Sequence, residues 1–283
     1  MPSEPPRKRL VLRRHRSALP ALILVGLYGA ALTATVVVAL VSGQLGPLWW
    51  LTLYTPVAEG AMVSPLSVLV LVLAGMSWAW AIWQVVRGPL AGSPPQQDRD
   101  VMRLRVALYV TVATTWLLHL AGPLAGEVAM VIDFVAMWMV VLRFTPVLGG
   151  NQSFTQGAGV LGYGGFAVIG VFDLVGWSGL GAASSVCALA GLTWAALVLR
   201  DQWGDDRWGR ATFAYGLASF VAPIPLTVAE TLFSPETGVA EALGAVASVL
   251  LLVWLARSAH DLAVPRRQPP AEQAEVVSGE QAT

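Results

Sequence analysis

Residues 87–105 read RGPLAGSPPQQDRDVMRLR, and the reading of this stretch decides the fold. It sets four arginines between two long apolar runs, one closing near Val86 and the next opening near Leu104. Working outward, the other Lys and Arg residues fall in the tail Arg7–Arg16, at Arg143, in the loop Arg200–Arg210 and in the tail from Arg257 onward. Between these places the apolar runs come in pairs, each pair joined by a connection without Lys or Arg. Such residues are held on the cytoplasmic side during insertion, so the pattern implies an even number of spans with both termini inside. Eight spans are expected, over 18–41, 66–86, 104–121, 124–142, 158–176, 180–199, 211–233 and 238–256.

The composition agrees. A chain of 283 residues that is 56% hydrophobic and 12% charged, with a mean hydropathy of +0.66, is too apolar for a soluble domain. Apolar runs of about 18 or more residues match a hydrocarbon core about 30 Å thick. Period-two alternation is absent, which excludes a membrane β-barrel. The first span follows a basic segment but has no small-residue cleavage site after it, so it reads as a retained helix. The expected location is the plasma membrane, with membrane lipids as the surrounding partner. Nucleic acid is not among the expected partners.

The fold class expected is all-α, a polytopic integral membrane protein with a tandem, parallel 4+4 helix repeat. Leu73–Ala74–Gly75–Met76–Ser77–Trp78–Ala79 reads again as Leu189–Ala190–Gly191–Leu192–Thr193–Trp194–Ala195. Leu27–Tyr28–Gly29 is matched by Gly162–Tyr163–Gly164, and Pro123-x-x-Gly126 by Pro235-x-x-Gly238, in the same order. An even-numbered unit keeps its orientation when duplicated, so the halves would be related by an axis along the membrane normal. The organisation is then a basic cytoplasmic tail, 1–17; a first half, 18–142, with an outer insertion, 43–65; an inner linker, 143–157; a second half, 158–257; and a mobile cytoplasmic tail, 258–283. Within 43–65, the run Trp49–Trp50–Leu51–Thr52–Leu53–Tyr54 fits a short segment at headgroup level, and Trp49, Trp50, Trp177, Trp203 and Trp208 fit interfacial belts. Six glycines between Gly157 and Gly170 imply close helix packing and a central place for the fifth span. Two four-helix halves with an outer first loop are similar in layout to the heme A synthases. The likeness is one of layout alone, because the histidine ligands of that family are missing.

Cofactor and metal chemistry is not expected. There is one cysteine, Cys187, and the three histidines, His15, His119 and His260, fall in different regions. Asp133 is the leading candidate residue. It sits at the middle of the fourth span, where an aspartate costs about 2.5–3.5 kcal/mol on insertion scales, and its neighbours Met130, Phe134, Met137, Trp138 and Met139 are apolar or aromatic. A group that costly turns inward to be paired, protonated or used, with Thr115, Ser219 and Thr227 the partners expected by depth. A second group collects toward the outer side: His119 on a face with Thr111 and Thr115, Glu127 opening the fourth span, and Asp173 near the end of the fifth. The seventh span adds a polar stripe of Tyr215, Ser219, Pro223, Thr227 and Glu230, in which Pro223 and Pro225 free backbone carbonyls. The functional expectation is a carboxylate-containing pocket between the halves that serves small-solute or proton-coupled transport. The alternatives are a membrane-embedded, acid-catalysed enzyme acting on an apolar isoprenoid, with Trp138, Trp78 and Trp80 as cavity wall, and a non-catalytic assembly subunit.

Overall fold

The computed structural model describes residues 18–54, 57, 62–87, 98–121, 126–149, 152–177, 179–223 and 239–263. These residues form helices and turns, with no strand among them. In chain order the helices are α1 (Ala18–Ser42), α2 (Gly46–Leu53), α3 (Pro65–Val86), α4 (Arg99–Ala121), α5 (Gly126–Leu148), α6 (Gln152–Gly159), a π-helical turn (Val160–Gly164), α7 (Gly165–Leu174), α8 (Gly181–Gly204), α9 (Arg210–Val221) and α10 (Val239–Asp261). Seven of the helical segments are long and apolar enough to cross a membrane, with α6, the π turn and α7 together making one. The expected span over 211–233 is helical from Arg210 to Val221, and its remainder lies outside the described residues.

Local chemistry accounts for the helix ends. Ser64 opens α3 with a reciprocal cap: its hydroxyl accepts the Ser67 N–H at 3.0 Å, and the Ser67 hydroxyl accepts the Ser64 N–H at 3.0 Å. Each bond satisfies an amide that the first helical turn cannot. Pro65 follows at a position whose N–H would have no partner anyway. Along α1 the side chains of Leu19, Leu22, Ile23, Leu27, Leu40 and Val41 are exposed, as lipid-facing residues must be. Only 11% of its apolar window is buried, which marks it as peripheral.

The centre of the bundle is α10, which packs against α2, α3, α4 and α9. Its buried residues include the unbroken run Leu252–Val253–Trp254–Leu255–Ala256, so it is enclosed on every side. This corrects the expectation that the glycine-rich fifth span is central. That segment packs on α5 and α8 instead, and its glycines serve one close approach: a Cβ at Gly162 would lie 2.6 Å from the Gly191 nitrogen. The last helix also runs to Asp261, with Ser258, Ala259 and His260 buried. The start of the segment read as a mobile tail is therefore core. Likewise α5 extends to Leu148 and α6 begins at Gln152, so most of the expected linker 143–157 is helical.

Two tryptophans expected at the interface are buried. Trp49 is fully enclosed in a cluster with Leu32, Leu48, Leu71 and Ala74, because α2 folds back between α1, α3 and α10. Trp208 stacks on Phe144 at 5.8 Å, within an aromatic column that continues to Trp254. Trp50, Trp177 and Trp203 are exposed, as an interfacial belt requires.

Candidate functional site

The site begins with helix periodicity. Thr111, Thr115 and His119 recur every fourth residue on α4 and so share one face. That face meets α5, where Asp133 lies two turns from the helix start. The Thr115 hydroxyl donates to Asp133 Oδ1. Thr111 donates to the Ala136 carbonyl at 3.1 Å, which joins the same two helices one turn further along. Of the three partners expected for Asp133, Thr115 is the one in contact; Ser219 bonds its own helix at the Gly216 carbonyl, and Thr227 lies outside the described residues.

His119 Nδ1 lies 2.7 Å from the Thr115 carbonyl oxygen. A carbonyl only accepts, so Nδ1 carries the hydrogen and Nε2 is the basic nitrogen of the neutral ring. Thr115 thus touches both candidate groups, Asp133 through its hydroxyl and His119 through its carbonyl. Aromatic rings back the imidazole: Trp78 at 5.4 Å and Tyr54 at 5.8 Å between centroids, with Trp116 behind Trp78 at 5.3 Å. The Trp78 Nε1–H donates to the Thr52 carbonyl at 3.0 Å and ties this wall to α2.

Asp133, His119 and Tyr54 line one open cavity of about 250 Å³, together with Leu53, Leu118, Ala129 and Met130. It lies at the end of the bundle opposite the arginine-bearing connections. All of its lining comes from the first half of the chain, α2, α4 and α5, and not from both halves. From the second half, Tyr163 in the π turn lies within electrostatic reach of Asp133. Tyr54 takes a left-handed backbone, φ 57°, as the C-cap of α2. That conformation is uncommon for a residue with a bulky side chain, and here it turns the ring toward Trp78 and His119.

The other candidates are not gathered there. Trp138 packs beside Gly164, 3.5 Å from the site of a Cβ on that glycine, and its Nε1 has no partner among the described residues. Asp173 is half-buried near the end of α7, where its carbonyl accepts the Gly176 N–H at 2.9 Å. Pro223 is exposed just beyond α9. The Glu127 side chain, Pro225, Thr227 and Glu230 lie outside the described residues. Trp80 packs on Tyr215, 5.5 Å away. Sequence reasoning missed Tyr54 as a lining residue, since no local pattern announces a left-handed tyrosine.

No group of three or more His, Cys, Asp or Glu residues able to hold a metal ion occurs among the described residues. The fold and site define an all-helical protein of membrane-spanning character with a carboxylate–imidazole cavity. No protein-family model matches the chain, and no curated protein or solved structure matches it.

Proposed function

We propose that the cavity at Asp133 and His119 binds a small solute and exchanges a proton with it, as the coupling site of a proton-linked transporter in the plasma membrane. The observation that carries this reading is the bonded series Asp133, Thr115, His119 opening on one cavity. An acid and a base that line one cavity can each exchange a proton with a solute bound there. The arginine pattern supports multi-pass insertion with both termini cytoplasmic, which puts the cavity toward the outside.

The size of the cavity weighs against an isoprenoid enzyme. About 250 Å³ falls below the roughly 300–1,000 Å³ usual for drug-sized ligands. Of the three tryptophans expected as its wall, Trp138 packs on Gly164 and Trp80 on Tyr215, which leaves Trp78 alone beside the cavity. The second half is read as a copy of the first. In support, Trp78 and Trp194 hold equivalent places in the repeated heptapeptide and both are buried. The helix pairs α4–α5 and α9–α10 also correspond.

The test uses reconstituted vesicles containing a pH-sensitive dye, challenged with a panel of small solutes under an imposed proton gradient. At least one solute should move protons through the parent protein and none through Asp133→Asn, with both proteins inserted to the same level. Parent vesicles inert to every solute, or an Asn variant as active as the parent, would remove the coupling role and leave an assembly subunit as the better reading.

A further inference from the structure

We propose that the arginine-bearing end of the bundle holds a binding site for a phosphate-type oxyanion, built by Arg105 and Tyr109 of α4 with Arg257 and His260 of α10. His260 is 4% exposed, yet neither ring nitrogen has a hydrogen-bond partner. The Arg257 Nε is buried and unpartnered one turn away on the same helix, and the Tyr109 ring lies 5.9 Å from that of His260, with its hydroxyl beside Arg105. Arg105 and Arg257 both act electrostatically on His260. Among the described residues the acid that does so, Asp261, is already engaged, accepting the Gly209 N–H at 2.8 Å and the Thr212 hydroxyl at 2.6 Å.

Buried polar atoms are hydrogen-bonded in the great majority of native structures, so a cluster of orphans in one place points to a ligand. The character of the orphans selects it. An imidazole N–H and a guanidinium N–H are donors, the neighbouring phenol O–H can donate as well, and the Arg257 charge repels a cation. A tetrahedral oxyanion offers several acceptor oxygens and the charge that arginine pairs best. The site lies at the C-terminal end of α10 and against the first half of α4, on the side where the positive-inside pattern places the cytoplasmic membrane surface and its lipid phosphates. The same chemistry would be met by an anionic lipid headgroup or by free phosphate. This site is independent of the Asp133 cavity, and either can fail without the other.

The full chain in mild detergent is titrated by native mass spectrometry with short-chain phosphatidylglycerol, phosphatidylcholine and inorganic phosphate. The parent should hold phosphatidylglycerol about tenfold more tightly than phosphatidylcholine, and Arg105→Gln/Arg257→Gln should lose that preference, a change of about 1.4 kcal/mol. Tyr109→Phe, which removes only a hydroxyl, should weaken binding about threefold to tenfold while keeping the parent melting temperature. Arg200→Gln, at an exposed arginine paired with Asp201, should bind as the parent does. Competition by inorganic phosphate identifies a free-anion site, and its failure to compete identifies a lipid headgroup; both uphold the proposal. Three results overturn it: no preference for phosphatidylglycerol together with no phosphate binding, unchanged binding in Tyr109→Phe, or an equal loss in Arg200→Gln.

Discussion

Asp133 and Thr115 show how one hydrogen bond carries an otherwise costly residue. Valine in place of Thr115 keeps the shape but strands the carboxyl against α4, which should destabilise the protein by about 1–3 kcal/mol. Asparagine at Asp133 still accepts that bond, so Asp133→Asn should melt close to the parent in detergent; a large drop there would mean the carboxyl itself holds the fold. Tyr54 makes a prediction about pH. Burial pushes its phenol from the ordinary 10.0 up to about 12, with a hydrogen bond to Tyr28 acting in the lowering direction. The folded state therefore keeps this proton where the unfolded chain releases it, and stability falls as pH rises from 10 through 12. Melting curves across that window should be steeper in pH for the parent than for Tyr54→Phe, and parallel curves would contradict the burial. Of these residues, Asp133 and Thr115 were legible from depth and spacing alone. Tyr54 was not, because its role depends on a backbone turn that brings α2 against α3 and α4.

At the scale of elements, the π turn and the glycines around it decide how the fifth span meets α8. A methyl group on Gly162 would press on the Gly191 backbone at 2.6 Å, whereas one on Gly191 would meet the Gly162 Cα at 4.0 Å, an ordinary contact. Gly162→Ala should therefore cost about 1–3 kcal/mol through forced separation of the two helices. Gly191→Ala should be neutral or add up to roughly 1 kcal/mol through helix propensity. Thermal denaturation of the two variants in one detergent checks the asymmetry, and equal losses would mean the approach is symmetric. Glycine density announces close packing in sequence, but it does not say which helix is central. That place goes to α10, whose apolar residues run all round, so that periodicity carries no directional signal.

For the whole molecule, orientation is the sharpest prediction. Single cysteines at 55, 178 and 235 should label from outside, and those at 95, 150 and 205 only from inside, against a background in which the native Cys187 is buried. Inside labelling at 178 would break the span order. Helical class and the positions of seven apolar spans were readable in the sequence, because each is set by a local quantity, the apolar length needed to cross a bilayer. The tertiary structure alone decided what those helices enclose. It withdrew Trp49 and Trp208 from the interface into the core, carried the last helix on through His260, and placed the Asp133 cavity within the first half and not between the halves. Each of these depends on which faces meet, and residues far apart in the chain, such as Tyr54, His119 and Asp133, become one site only after packing has chosen their neighbours.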